Sequence, residues 1–90
     1  MMFALGQVGI TRVCQAHMDR LKASPLTYLN KHANGDWGDL GADDKRANDL
    51  AVKHGDSRIF SKYTLPDKEK IYIITEADRS STTIMLTEEY

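Results

Sequence analysis

Two stretches of sequence decide the fold, RIFSKYTL at residues 58–65 and IYIIT at residues 71–75. Both are rich in β-branched and aromatic residues, which favour strands, and the segment Pro66-Asp67-Lys68-Glu69 between them is typical of a turn. The second stretch is apolar on both faces, so we place it at the centre of a sheet. A third run, residues 82–86, follows a polar turn at residues 78–81. Together these stretches predict an antiparallel meander of three strands.

Residues 7–23 predict a strand and a helix before this meander. Val8 and Ile10 alternate within residues 7–10, as in a short strand, and Thr11 offers a side-chain oxygen to cap the following helix. In residues 12–23 apolar side chains recur at i, i+4 and i+7, which places them on one helical stripe. That stripe consists of Cys14, Met18 and Leu21.

Two further helices fit between residues 24 and 55. Ser24-Pro25 is typical of a helix start, because serine caps free N–H groups and proline lacks one at the first helical position. Asn34-Gly35 ends this helix. Asp43-Asp44 complements the dipole at the start of the third helix, which Gly55 closes. We expect the apolar faces of these two helices to consist of Leu26, Leu29 and Ala33, and of Ala47, Leu50 and Ala51.

The order of elements is therefore βαααβββ, which predicts a single α+β domain over residues 1–90. The simplest architecture is an antiparallel meander of three to four strands, in which the N-terminal strand would be the fourth, with the helices packed on one face. Ninety residues leave room for only one hydrophobic core.

Composition restricts the classes of partner. Twelve Lys and Arg against thirteen Asp and Glu give a net charge of -1, without a basic block, which argues against a general binder of phosphate backbones. Cys14 is the only cysteine, so an internal disulfide is excluded and a reducing compartment is expected. Neither a leader nor a membrane span is recognisable. We therefore expect a cytoplasmic protein, a monomer or a homodimer, with no membrane partner.

The first candidate binding segment is GDWGDLG at residues 35–41, which surrounds the only tryptophan with glycines. We expect a structured loop that leaves Asp36, Trp37 and Asp39 free for contact. With His32, the two carboxylates could instead ligate zinc, manganese or iron. A third interpretation assigns the aspartates to turn hydrogen bonds, His32 to a helix end and Trp37 to the core. We expect no metal and no cofactor.

The second candidate is the turn before the last strand, with Glu76, Asp78, Arg79 and Ser80. An arginine beside carboxylates and hydroxyls can recognise a polar ligand or a partner protein. Local hydrogen bonds of Asp78 and a pair between Arg79 and a carboxylate would also explain these residues.

No catalytic set is recognisable. Cys14 falls on the expected buried stripe of the first helix, where thiols are inert. His17 lies one turn away at i+3, but a helix-borne pair has no evident oxyanion donors. We therefore do not expect an enzyme.

Several phrases resemble a family of small bacterial proteins usually called plasmid-related or hypothetical. They are HANGDWGDL at residues 32–40, IITEADRS at residues 73–80 and the ending EEY at residues 88–90. The resemblance covers nearly the whole chain from Leu5, and residues 13–23 depart from the family pattern. It implies an accessory protein of plasmids, prophages or integrated elements. Restriction-modification labels of some members do not transfer, because a methyltransferase subunit needs a cofactor-binding βαβ unit for which this chain has no room.

The leading hypothesis is a non-enzymatic interaction protein of a mobile element, such as an inhibitor of a host defence system of the anti-CRISPR or anti-restriction type. Its partner would be another protein, bound through the tryptophan loop and the arginine turn. Two alternatives stay open. One is a metal-dependent enzyme, and the other is a nucleic-acid-binding accessory protein that uses Arg12, Arg20, Lys22 and Lys31.

Overall fold

A computed structural model describes residues 1–90 and confirms the α+β order βαααβββ. A single turn of 3-10 helix, Thr87–Glu89, follows the last strand. The strands and helices are β1 (Gln7–Ile10), α1 (Arg12–Leu21), α2 (Pro25–Ala33), α3 (Ala42–His54), β2 (Ile59–Thr64), β3 (Lys70–Thr75) and β4 (Ser81–Leu86).

The four strands form one sheet in the order β1-β4-β3-β2. Strands β2, β3 and β4 are the expected antiparallel meander. The sheet as a whole is mixed, however, because β1 pairs in parallel with β4, with Gln7 opposite Ser81. The expectation of a wholly antiparallel sheet is wrong at this strand. Everything between β1 and β4 forms a long crossover, so the first strand can enter the sheet in the same direction as the last.

Local capping explains where the helices begin and end. Thr11 accepts a hydrogen bond from the Cys14 N–H at 3.2 Å, as expected for an N-cap. Ser24 occupies the N-cap of α2, but its side chain makes no capping bond, so the start of α2 relies on Pro25 instead. Gly55 ends α3 with a left-handed φ of 72°.

Helices cover only one face of the sheet, which we call the covered face. It carries Ile59, Ser61, Tyr63, Ile71, Ile73, Thr75, Thr82, Ile84 and Leu86, all of them buried. Cys14 and Met18 of α1 and Leu29 of α2 complete the main core against these strands. The opposite face, which we call the open face, has no helix packed on it.

The third helix meets the sheet with a different stripe from the one expected. Leu50 is 50% exposed and Ala47 is also exposed, whereas Asn48 and Ala51 are buried. In α2, likewise, Leu26 is 65% exposed. The helix is turned this way because Asn48 binds the backbone at the edge of β2, donating to the Phe60 carbonyl at 2.7 Å and accepting from its N–H at 3.1 Å.

Candidate interaction surface

Trp37 is part of a second, smaller core rather than an exposed anchor. Its side chain is 4% exposed, with Ala51 and Ile59 as buried neighbours and Phe3 packed beside it. The indole N–H donates to the Asp49 carboxylate at 2.9 Å. The expectation that Trp37 is free for contact is therefore wrong, and the alternative that assigned it to the core is confirmed. Asp49, twelve residues away on α3, supplies the acceptor that a buried indole N–H requires.

The segment around Trp37 closes the edge of the sheet. The Lys62 N–H donates to the Trp37 carbonyl at 3.2 Å, and the Asp39 N–H donates to the Lys62 carbonyl at 2.7 Å. Gly38 makes this approach possible, because its φ is +74° and a Cβ atom there would lie 2.0 Å from the Lys62 carbonyl oxygen. Gly38 thus serves strand pairing rather than ligand binding.

Asp36 and Asp39 are exposed, as a binding role would require. They line a polar groove of about 320 Å³ together with Tyr28 and Lys31. Each also makes a local hydrogen bond: Asp36 accepts from the Gly38 N–H at 3.2 Å, and Asp39 accepts from the Thr64 hydroxyl. Their role in binding stays a prediction.

Arg79 is held by the protein itself. Its guanidinium donates to four backbone carbonyls, those of Ala51 at 2.9 Å, Ser57 at 2.6 Å, Glu76 at 3.1 Å and Ala77 at 3.0 Å. These bonds connect the β3–β4 turn to the end of α3 and to the segment before β2. The expectation that the Arg79 head group is free for a ligand is wrong, because both of its terminal nitrogens already donate to backbone carbonyls.

The other residues of this turn remain accessible. Asp78 and Ser80 are exposed, and the Ser80 N–H donates to the Asp78 carboxylate at 2.9 Å. Hydrogen bonds from the Ser80 side chain and backbone lower the pKa of Asp78. Glu76 lies 3.6 Å from Arg58 in a half-exposed ion pair. These contacts describe a turn that stabilises itself, and its contact with a partner stays a prediction.

His32 lies at the centre of a fully buried chain of hydrogen bonds. Thr82 donates to the Leu5 carbonyl at 2.7 Å, and so its oxygen must accept the hydroxyl hydrogen of Thr75, also at 2.7 Å. Thr75 in turn accepts from Nε2 of His32 at 2.9 Å, which leaves Nδ1 to accept from Ser61 at 2.6 Å. Since the carbonyl can only accept, the whole chain has one direction and His32 is the neutral Nε2–H tautomer.

His32 lies in the last turn of α2, as one interpretation of the sequence expected, but the burial of this chain rules out the metal-ligand role. Burial lowers the pKa of His32 to about 4, so the ring stays neutral at neutral pH. Both of its nitrogens are engaged by hydroxyls, and no group of three or more His, Cys, Asp or Glu side chains could hold a metal ion. His32, Asp36 and Asp39 therefore do not form the ligand set of the metal-enzyme hypothesis. Ser61 beside His32 is likewise inaccessible to substrate, because both are 0% exposed.

The thiol of Cys14 is similarly inert. Burial, followed by the charge of Glu89, raises the pKa of Cys14 to about 11. Both ring nitrogens of His17 lie beside other groups: Nε2 is 2.8 Å from the Asp67 carboxylate, and Nδ1 accepts from Arg20 at 3.1 Å. The Cys14 and His17 pair therefore does not form.

The open face presents an aromatic cluster that sequence reasoning missed. Tyr72 contacts both Phe60 and Tyr90 edge to face, with its ring centroid 6.2 Å from that of Phe60 and 5.6 Å from that of Tyr90. Arg58 lies over the Tyr90 ring and donates to its hydroxyl at 3.2 Å. Ile74 lies beneath them and is 4% exposed although no helix covers it. We call these five residues the aromatic cluster.

The aromatic cluster lines a concavity of about 570 Å³, with Asp44 of α3 and Ser57 at its margin. Two lysines also belong to the open face: Lys62 is half-buried, and Lys70 donates to the Thr64 hydroxyl at 2.9 Å. Strand alternation could have predicted part of this cluster from the sequence, because Phe60 and Tyr72 both fall on positions that face away from the core. Tyr90 joins them only through the turn that follows β4.

Comparison of this chain with known proteins identifies no relative. No protein-family model matches this chain, and neither a curated protein nor a solved structure is significantly similar to it. The helices are also all too short or too polar to cross a membrane.

Proposed function

We propose that this chain is a small, non-enzymatic protein-interaction module whose contact surface is the aromatic cluster on the open face of the sheet. The observation that carries the proposal is the concavity formed by Arg58, Phe60, Tyr72, Ile74 and Tyr90 on a face with no covering layer. Tyrosine and arginine, which frame it, are the residue types that dominate binding energy at protein interfaces.

The cluster is also suitably organised for binding. Its rings already contact one another, and Arg58 is oriented by Glu76 and Tyr90, so few rotamers need to be fixed when a partner binds. Tyr90 is 70% exposed and offers most of its ring to a contacting molecule. An apolar side chain of the partner would displace water from the concavity and gain free energy from burial.

A protein partner fits this surface better than a nucleic acid. Asp44 and Glu76 lie in or beside the cluster, and both would repel phosphates. Lys62 and Lys70 are the lysines of the open face, and the chain as a whole carries a net charge of -1. The aromatic rings alone could stack on bases, but a binder of single strands combines stacking with a positive groove.

The non-enzymatic part of the proposal is supported by the state of the candidate nucleophiles. Cys14 and Ser61 are both 0% exposed, and the imidazole of His32 is engaged on both sides. The resemblance to proteins of plasmids and prophages supports the further proposal that the partner is a host or defence protein. The lone cysteine supports a cytoplasmic site of action.

Affinity capture with matched variants tests the proposal. The protein, Tyr72→Ala and Leu26→Ala would be used as baits against extracts of the source cells and of phage-infected cells, followed by mass spectrometry. Leu26 is 65% exposed on α2 and controls for loss of an exposed apolar side chain elsewhere. We expect a partner that the protein and Leu26→Ala retain and that Tyr72→Ala loses, and that then binds in purified form.

Identical capture by all three baits would overturn the proposal, as would loss with Leu26→Ala alone. A fluorescence anisotropy titration with single-stranded DNA and RNA tests the alternative that the aromatic cluster binds nucleic acid instead of a protein. Binding that weakens steeply with salt and requires Tyr72 would replace the protein partner by a nucleic acid.

A further inference from the structure

The two edges of the sheet differ in how their backbone groups are satisfied. At the β2 edge, Asn48 bonds both backbone groups of Phe60, while Trp37 and Asp39 bond both those of Lys62. A sheet edge covered in this way cannot accept another strand.

The β1 edge has no such cover. The amide of Gln7 donates to the carbonyl of Ser80, just before β4, and the amide of Thr11 donates to that of Ile84 in β4, which fixes the alternation of this strand. Val8 and Ile10 therefore direct their backbone N–H and C=O groups outward, and no side chain or neighbouring segment bonds to them. Unpaired edge groups are a template for strand addition.

Apart from the shortness of β1, which has four residues, the usual protective features are missing at this edge. Residues 1–11 contain no charged side chain and no proline. Val8 is 43% exposed, and a Cβ atom added at Gly9 would meet nothing within 4 Å. Natural edge strands are commonly protected by lysine, proline or a bulge, so a bare and neutral edge requires an explanation.

We infer that two copies of this chain associate through β1, antiparallel about a two-fold axis at Gly9, to form one continuous sheet. In this register Val8 of each copy lies opposite Ile10 of the other. All four outward backbone groups of each β1 strand are then bonded, whereas shifting the strand by two residues leaves part of them unpaired.

The side chains of β1 suit this arrangement. Residues directly opposite in an antiparallel pair share one face, so Val8 and Ile10 of the two copies form two apolar pairs on the helix side. The two Gly9 residues form the pair whose side chains would approach most closely, and neither has one. A neutral strand also pairs with itself without charge repulsion. The joined sheet would place the two open faces side by side.

Cysteine cross-linking tests this register directly. Gly9→Cys places the two thiols opposite each other at the axis, at a separation that a disulfide can span. Gln7→Cys is the matched control, since it is exposed on the same strand face but its two copies are separated by roughly 14 Å. We expect mild oxidation to give at least about tenfold more covalent dimer for Gly9→Cys. Cys14 is buried and does not interfere.

Sedimentation analysis provides the second measurement. The unmodified protein should show a concentration-dependent dimer that Val8→Lys abolishes and that Leu50→Lys retains, because Leu50 has a similar exposure of 50% but lies on α3. A protein that is monomeric up to millimolar concentration overturns the inference, as does equal cross-linking of the two cysteine variants. Both results are independent of whether the open face binds a partner.

Discussion

The covered face and the open face of the sheet contradict, in opposite ways, the rule that apolar groups are buried and polar groups are exposed. The covered face contains the buried chain from Ser61 through His32, Thr75 and Thr82. The open face contains three aromatic rings and an isoleucine without a covering layer. The polar chain is tolerated because every donor in it has an acceptor. The apolar groups of the open face, by contrast, are not covered by another part of the protein. For this reason we propose that the covered face provides stability and that the open face binds a partner.

Removing His32 should have the largest effect on stability. His32→Leu leaves the Ser61 hydroxyl without its acceptor and Thr75 without a donor, so we expect a loss of about 3–5 kcal/mol in the free energy of unfolding. Urea denaturation at neutral pH measures this change. The control is His54→Leu, which removes an exposed imidazole near the end of α3. Equal stability of His32→Leu and the unmodified protein would show that the buried chain is not structurally required.

The pH dependence of stability should be the next largest effect. The pKa of His32 is about 4 in the folded protein against an ordinary value of 6.5, so the unfolded chain binds more protons between these values. Stability from this group is therefore complete above pH 6.5 and decreases as pH falls towards 4, by roughly 3 kcal/mol in total. Urea denaturation between pH 4 and pH 7 measures this loss. His32→Gln should lack the loss that comes from His32, whereas His54→Gln should retain it. A parallel loss in all three proteins would assign the effect to other groups.

Closure of the β2 edge should contribute an intermediate amount. In Gly38→Ala the new methyl group would meet the Lys62 carbonyl and the backbone would need a strained positive φ, so we expect a loss of roughly 2 kcal/mol or more. Gly41→Ala is the matched control, because a Cβ atom there meets nothing within 4 Å. Thermal unfolding and the fluorescence of Trp37 measure both variants. An unchanged emission maximum in a destabilised Gly38→Ala would show that Trp37 remains buried without the closed edge.

The sequence contains enough information for the elements but not for their long-range pairing. Strand alternation, turn residues and caps predict the helices and the meander because each depends on residues close together in the chain. The parallel placement of β1 depends on β4, more than seventy residues away, and no turn links the two strands.

The same limit applies to the candidate site: contacts with distant residues could not be predicted, whereas the face of a strand residue could. Trp37 is buried because Asp49 is placed to accept its indole N–H, and Arg79 is engaged because four backbone carbonyls converge on it. Because every residue has a backbone carbonyl, the sequence does not indicate which carbonyls will lie near Arg79. Phe60 and Tyr72, by contrast, could be assigned to one face from alternation alone, once the strand register is known.

The smallest effect on stability should come from the open face. Arg58→Ala removes a half-exposed ion pair with Glu76 and the contact with Tyr90, interactions that contribute about 0.5 kcal/mol or less at such exposure. The same substitution should weaken binding of a captured partner by about tenfold or more, because a buried arginine contact at an interface contributes over 1 kcal/mol. Urea denaturation and calorimetric titration measure the two changes on one sample. Thr83→Ala, on the same face but outside the aromatic cluster, should change neither. A large loss of stability in Arg58→Ala would show that the open face also serves folding, and the division of roles between the two faces would then fail.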